Sequence, residues 1–361
     1  MMYYNSNIHI LTEKDVPNRF LPLALVKILK TKIGYRCMAK LLRNLIPFTD
    51  KDMFDRYLKF VQLGKLGSQE NIFKECTRFY PEDTKFIVLP MDMAFMGAGK
   101  VDRDYHEQIE TLCMLASKNP KVIPFFHADP RRPDVFEFFK ESVEHNGIQG
   151  LKLYPPLGYY PYDKGLDEIY AFCEQKNLPI IAHCSPYNPV RYKGKKKALL
   201  HYLSQSIEPI ETKGKKRKEL CSHFTNPLNY LQVIEKFPKL KICFAHFGSS
   251  YYWEKFIADP GDKNNWFSII RKLIREHTNF YTDISFTLNK REYFSLLKVL
   301  LSEPETRKKI LFGSDYYMVE TECDERRFGL DLRAYLGEEY FEQIAIRNVE
   351  EFLGNQKSIV N

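Results

Sequence analysis

No run of about 18 apolar residues, the length needed to span a bilayer, occurs in the chain. No transmembrane segment is therefore expected. The start, Met1-Met2-Tyr3-Tyr4-Asn5-Ser6, lacks a basic patch followed by a cleavable apolar stretch, so no secretory signal is expected either. No C-x-x-C pair occurs among the eight cysteines, which are scattered at 37, 76, 113, 173, 184, 221, 243 and 323. That scatter disfavours a disulfide framework or a zinc ribbon and suits reduced thiols in the cytoplasm. The motifs G-x-x-x-x-G-K-S/T, G-x-G-x-x-G and G-x-S-x-G are all missing, which removes the usual supports for nucleotide binding and serine hydrolysis. Neither a solenoid repeat nor a linker rich in Pro, Gly or Ser interrupts the sequence.

Of what is present, the hydrophobic residues make up 44% of the 361, enough for a substantial core. The net charge of +8 is concentrated. From Arg191 to His223 ten basic side chains face three acids, Glu208, Glu211 and Glu219, and the rest of the chain is nearly neutral. One basic loop is a solvated local feature, not the basic face of a nucleic-acid-binding domain. The expected partner is a small-molecule substrate, with no nucleic acid and no membrane; a homo-oligomer is left open.

Short apolar or β-rich runs recur at Ile8–Leu11, Phe86–Asp92, Val122–Ala128, Gly150–Tyr154, Pro179–His183, Lys241–His246, Phe280–Ile284 and Ile310–Asp315. Helical periodicity fills most of the gaps. In Asp102–Lys118, Ile109, Leu112, Cys113 and Ala116 fall on one helical face. Eight strands alternating with helices predict an α/β fold, a (β/α)8 TIM barrel. The chain reads as a single domain, 1–361, with long insertions after the first and fifth strands, at about 12–85 and 186–238. Helical stretches are predicted in the first insertion around Leu23–Leu45 and Phe54–Leu66. Loops that follow barrel strands build the active-site face, so both insertions are expected to shape a substrate pocket.

Polar groups stand where the apolar runs finish, and those ends converge on one barrel mouth. The run containing Ile8 carries Asn7 and His9, two apart and so on one face. Lys152 and Tyr154 share a face of the fourth run; the fifth ends in His183, the sixth in His246 and the eighth in Asp315. Histidines with a carboxylate are ordinary ligands of a catalytic divalent metal with an open position for water. An amide oxygen at Asn7 is a poorer zinc ligand than imidazole, so the set looks weakened or specialised on that side. Lys152 is open to three readings: snorkelling to the rim, anchoring a substrate carboxylate, or bridging metal as a carbamate. His223 lies in a loop expected near the mouth, and Asp129 with Arg131 suggests an ion pair that fixes the loop after the third run.

The segments Asn-Ile-His-Ile, Phe-His-Ala-Asp-Pro-Arg, Gly-Leu-Lys-Leu-Tyr-Pro-Pro-Leu-Gly, Ile-Ala-His-Cys-Ser, Phe-Ala-His-Phe-Gly and Leu-Phe-Gly-Ser-Asp resemble the amidohydrolase superfamily. The branch most similar contains the amidohydrolase-related proteins, near aminocarboxymuconate-semialdehyde decarboxylase. The resemblance implies that His9, His183 and Asp315 hold one divalent metal, zinc first, with manganese or no metal as alternatives. It further implies that Asp315 handles the proton of the nucleophilic water and that His246 polarises the substrate, by a hydrogen bond to the developing oxyanion, or assists the water. Asn7 departs from the family pattern, which has a histidine there. A metal-dependent hydrolase of an amide, ester or lactone bond is therefore expected. The alternatives are a metal-dependent non-oxidative decarboxylase of an aromatic or unsaturated acid, and a catalytically degenerate barrel that binds a ligand.

Overall fold

A computed structural model of the chain describes residues 2–20, 62–64, 66–288, 290–321 and 324–354. The helices predicted around Leu23–Leu45 and Phe54–Leu66 lie outside these residues, apart from one helical turn at 62–64.

Among the described residues nine strands follow in chain order: β1 Tyr4–Ile8, β2 Lys85–Val88, β3 Val122–Pro124, β4 Phe126–His127, β5 Leu151–Leu153, β6 Ile180–His183, β7 Ile242–Ala245, β8 Phe280–Asp283 and β9 Ile310–Leu311. All neighbouring pairs are parallel, in the orders β1-β2-β3 and β4-β5-β6-β7-β8-β9. The two sheets form one barrel. Phe125 separates β3 from β4, but its N–H donates to the Val88 carbonyl at 3.1 Å, and Gln149 N–H donates to Pro124 O at 2.9 Å. The third stave is thus one strand with a kink. On the opposite side Ser6 N–H donates to Phe312 O at 2.8 Å, and Asp315 N–H donates to Asn7 O at 2.8 Å. A parallel bridge joins Ile8 to Tyr316. The fold is a (β/α)8 TIM barrel, as the alternation of runs predicts.

Alternating side chains explain the layers. Ile87, Leu89, Ile123, Phe125, Ile181, Cys243 and Leu311 point inward and pack together in the barrel. Their neighbours Phe126, Leu151, Leu153, Ile180, Ala182 and Phe244 point outward into the layer shared with the helices. Gly150 is required here, because a Cβ would meet the Phe125 ring at 2.4 Å. The pairing of β1 with β2 shifts register between Asn5 and Ile8. Tyr4 therefore packs inside the barrel, whereas Ile8 packs outside against the helices.

The helix Trp266–Glu276 shows why the helices cover the sheet. Asn265 caps it by accepting from Phe267 N at 2.9 Å. Trp266, Phe267, Ile270, Leu273 and Ile274 then form one buried stripe. Each such aliphatic or Phe side chain contributes roughly 1.5–3 kcal/mol by leaving water. Helices at Gln69–Thr77, Lys196–Leu203, Arg217–Ser222, Ser249–Ala258, Pro304–Arg307 and Glu325–Leu336 were not legible as apolar stripes. Among the described residues the six cysteines that can be placed are unpaired, and no helix is long and apolar enough to cross a membrane.

Strand ends differ from the predicted runs. β1 starts and stops earlier than Ile8–Leu11, and β9 stops at Leu311. His9, His246 and Asp315 consequently sit just beyond strands rather than on them, and only His183 ends one.

Candidate active site

A pocket opens at the C-terminal mouth of the barrel, floored by His9, His183, His246 and Asp315. The space within it is about 90 Å³. Three of its residues that are not glycine hold a left-handed backbone: His246 at φ 71°, Phe286 at φ 58° and Asp315 at φ 65°. Such conformations persist only where the surroundings enforce them, and they gather at functional sites. Gly313 enables the Asp315 turn to lie against β1; a Cβ there would meet the Asn7 Cβ at 2.9 Å.

Each histidine is oriented by a partner behind it, which also sets its tautomer. His9 Nδ1 lies 2.7 Å from Leu89 O, so Nδ1 carries the hydrogen and Nε2 turns a lone pair inward. That nitrogen stands 3.2 Å from Asp315 Oδ1, an oxygen with no hydrogen-bond partner. His183 Nε2 lies 2.7 Å from Asn188 Oδ1. The Asn188 amide is oriented in turn: its Nδ2 donates to Ser185 O at 2.7 Å, and its Oδ1 accepts from Ser185 Oγ at 2.9 Å. His183 Nε2 is therefore the protonated nitrogen, and its Nδ1 is a lone pair. His246 Nδ1 donates to Ser285 O at 3.0 Å, which leaves Nε2 as a lone pair. The two lone pairs, His183 Nδ1 and His246 Nε2, face each other at 3.0 Å.

Behind His246, Asp283 Oδ1 accepts from His246 N at 2.9 Å and from Ser285 N at 3.0 Å. Asn7 Nδ2 donates to Asp283 Oδ2 and to Ser285 Oγ, both at 3.0 Å. Asn7 is thus a brace beneath the floor, fully buried, with its Oδ1 unpartnered. A histidine there could not make both donations in the same direction. Burial, the neighbouring His246 and then Lys152 hold His183 well below the usual imidazole range, so its ring is neutral.

The expected site residues do not all meet. His9, His183, His246, Asp315 and Tyr154 line one pocket. The Tyr154 ring lies 4.4 Å from the His183 ring, and its hydroxyl donates to Val190 O at 3.2 Å. Lys152 neither snorkels to the rim nor lines the pocket. It is 0% exposed, its Nζ has no hydrogen-bond partner, and burial lowers its pKa against the opposing pull of Asp315 and Asp283. His223, half-buried in the short helical turn His223–Thr225, is not among the pocket residues. The loop ion pair is present: Arg131 Nε donates to Asp129 Oδ1 at 2.8 Å and Nη2 to Oδ2 at 2.6 Å. Asn188 and Ser285 were missed by sequence reasoning. Ser285 had a weak signal, two residues after a strand-end acid; Asn188, inside the long loop after β6, had none.

Among the described residues no three His, Cys, Asp or Glu side chains stand together as a ready metal site. The donors come as two pairs instead. Their chemistry nevertheless suits a cation, because all four inward atoms are acceptors, and in each pair the hydrogen that would join them is missing.

A (β/α)8 barrel with titratable side chains gathered at its C-terminal mouth has the build of an enzyme. The sequence profile of the amidohydrolase family matches residues 80–354, most of the chain, and the protein belongs to that family. Among solved structures, an uncharacterised TIM-barrel protein from Bordetella bronchiseptica is 14% identical, with a TM-score of 0.55 and 98% of this chain and 99% of that chain covered. The 4-oxalomesaconate hydratase of Rhodopseudomonas palustris is 15% identical, with a TM-score of 0.50 and coverage of 98% and 96%. A protein assigned as a 2-pyrone-4,6-dicarboxylic acid hydrolase, from Pseudomonas putida, is 11% identical, with a TM-score of 0.51 and 98% of both chains covered. At these identities the likenesses show the fold. No curated protein sequence matches the chain. The narrower likeness to aminocarboxymuconate-semialdehyde decarboxylase finds no counterpart in these three structures.

Proposed function

We propose that the protein is a hydrolase of the amidohydrolase family acting on an ester, amide or lactone bond of a small organic substrate, with a divalent metal as cofactor. The observation that carries this is the floor of acceptor-only atoms: His9 Nε2, Asp315 Oδ1, His183 Nδ1 and His246 Nε2. His9, His183 and Asp315 would hold the ion, with His246 beside them. When bound, it would supply Lewis-acid polarisation of a carbonyl and a more acidic water.

The chain's own residues divide the remaining work. Asp315, with one oxygen free of hydrogen bonds, takes a proton from the attacking water and delivers it to the leaving group. Leu89 O and Asn188 keep the rings of His9 and His183 from turning. His246 differs from the expectation that it donates to the developing oxyanion. Its pocket-facing nitrogen has no hydrogen while Nδ1 donates to Ser285 O, so that role requires the imidazolium. Tyr154 walls the site beside His183.

Decarboxylation would use the same floor but needs a seat for the substrate carboxylate, and no observation favours it. Two of the solved structures of similar fold bear the names of a hydratase and of an assigned hydrolase, which supports reading this site for water chemistry. The test is a panel of esters, lactones and amides, with metal analysis of protein purified without chelator. Wild type is expected to carry about one divalent ion per chain and to hydrolyse at least one class. His183→Ala should lose the ion. Equal, negligible metal in both proteins sinks the metal role, and no turnover across the panel sinks the hydrolase.

A further inference from the structure

The walls above the polar floor point to the substrate. Leu11, Phe20, Met91, Met93, Pro189 and Met318 line the pocket. Among the described residues no Lys or Arg lines the cavity. The polar groups that do reach the walls are committed to the protein. The Tyr154 hydroxyl donates to Val190 O, and the Tyr317 hydroxyl donates to Leu11 O at 2.8 Å. Ser185 Oγ and the Asn188 amide are spent on each other and on His183.

The nearby cations are committed to other groups or, like Lys152 and Arg191, lie outside the lining with an unpartnered nitrogen. Arg131 is clamped on Asp129, and Arg132 Nε donates to Asp92 Oδ2 at 2.7 Å. Lys193 points its ammonium at the Phe20 carbonyl and lies 4.3 Å from the Phe20 ring. Arg191 Nη1 donates to Asn188 O outside the lining, although its Nε has no partner. A carboxylate on the substrate, away from the reacting carbonyl, would therefore be buried against thioether and aromatic walls with no cation among the described lining residues to meet it. Burying an unpaired charge is strongly unfavourable. The walls also limit size. The space of about 90 Å³ is smaller than the roughly 150 Å³ of an apolar cavity that encloses benzene. Three methionines can yield to a modestly longer chain, since the thioether side chain has several accessible rotamers.

We infer that the pocket selects small, uncharged substrates whose non-reacting part is a short apolar group, and excludes those bearing a second carboxylate. The chemistry rests on the hydrolase proposal; the binding preference does not. Two matched pairs separate them. Butanamide and succinamate differ only by a terminal carboxylate, and so do p-nitrophenyl butyrate and mono-p-nitrophenyl succinate. In calorimetry on the intact protein, butanamide should bind about tenfold or more tightly than succinamate. In kinetics, kcat/KM should favour the butyrate ester by a similar factor. Met91→Lys should narrow both gaps by placing a cation in the wall. Equal or tighter succinamate binding overturns the inference, as does failure of butanamide to bind. If succinamate binds well and Arg191→Gln abolishes that binding, Arg191 is an anion anchor and the inference is wrong. A binding preference for butanamide with neither ester turned over would leave the selectivity standing and remove the hydrolase.

Discussion

His183 and His246 meet nitrogen to nitrogen at 3.0 Å, Nδ1 against Nε2, and neither nitrogen has a hydrogen to offer. Each ring spends its hydrogen on a partner behind it, Asn188 for His183 and Ser285 for His246. A proton shared between the rings would join them. Burial opposes that proton, because His183 is held neutral by desolvation and by the positive groups nearby. A divalent ion held by His9, His183 and Asp315, with His246 beside it, would meet this arrangement without charging an imidazole. Asn188 then becomes the residue that decides which nitrogen of His183 faces the pocket.

Asn188→Leu should release the His183 ring and allow the other tautomer. Losing a hydrogen-bond partner behind a ligand typically costs 10–100-fold in metal affinity or activity. A fall of that size in kcat/KM is expected, with metal affinity weakened alongside and only a small change in Tm. Unchanged metal affinity and activity would show that the His183 orientation is set elsewhere.

Asp315→Asn removes the proton acceptor and keeps the shape. Loss of a positioned general acid–base group typically costs 10²–10⁴-fold in rate. A decrease of about that size in kcat is expected for any ester or lactone the wild type hydrolyses. An activity within about twofold of wild type would move the proton role to another group.

Lys152 is fully buried without a hydrogen-bond partner, beneath the pocket floor rather than in it. An unsatisfied buried polar group costs about 1–3 kcal/mol, and an apolar replacement of similar shape can recover part of it. Lys152→Met should therefore raise stability by about 1 kcal/mol in urea unfolding. Its folded pKa is depressed, so the gain should be larger at lower pH, where an unfolded lysine is charged and the buried one resists protonation. A destabilised Lys152→Met would mean that Asp315 and Asp283 hold the ammonium in place more strongly than burial expels it.

The barrel was legible because its apolar runs are short, evenly placed and separated by helical stripes. Ile180-Ile181-Ala182-His183 reads as a buried strand ending in a histidine, and it is one. The site was legible as a set of residue types, since His9, His183, His246 and Asp315 stand where apolar runs finish. Their mutual geometry was not. Asn7 illustrates why: a spacing of two from His9 suggests a second ligand, but its amide is turned onto Asp283 and Ser285. Lys152 illustrates a second limit. Periodicity puts it on the inner face of its strand without saying how deep in the barrel it lies. Asn188 acts through a loop whose path has no periodic signal at all.

Glu325 offers a test of the shell that supports the Asp315 turn. It is wholly buried; the Tyr80 hydroxyl donates to it, and Ser314, the residue before Asp315, hydrogen-bonds it as well. Ser314 also accepts from Asn5 Nδ2 at 2.8 Å, which ties the cluster to β1. Burial is the main cause that pushes its carboxyl up to about 8, with Glu320 and Asp315 adding repulsion. The folded pKa is raised above the ordinary 4.5, so the folded state keeps a proton that the unfolded chain releases. The stability this proton provides is complete below about 4.5 and is lost as pH rises through about 8. Glu325→Gln cannot ionise and should show a flatter profile. In urea unfolding between about pH 5 and 8, wild type should lose up to about 1.4 kcal/mol per pH unit relative to the variant. The variant should be the more stable of the two at the alkaline end. Parallel profiles would mean that Glu325 is ionised in the folded protein, and that Tyr80 and Ser314 stabilise a carboxylate there rather than a neutral acid.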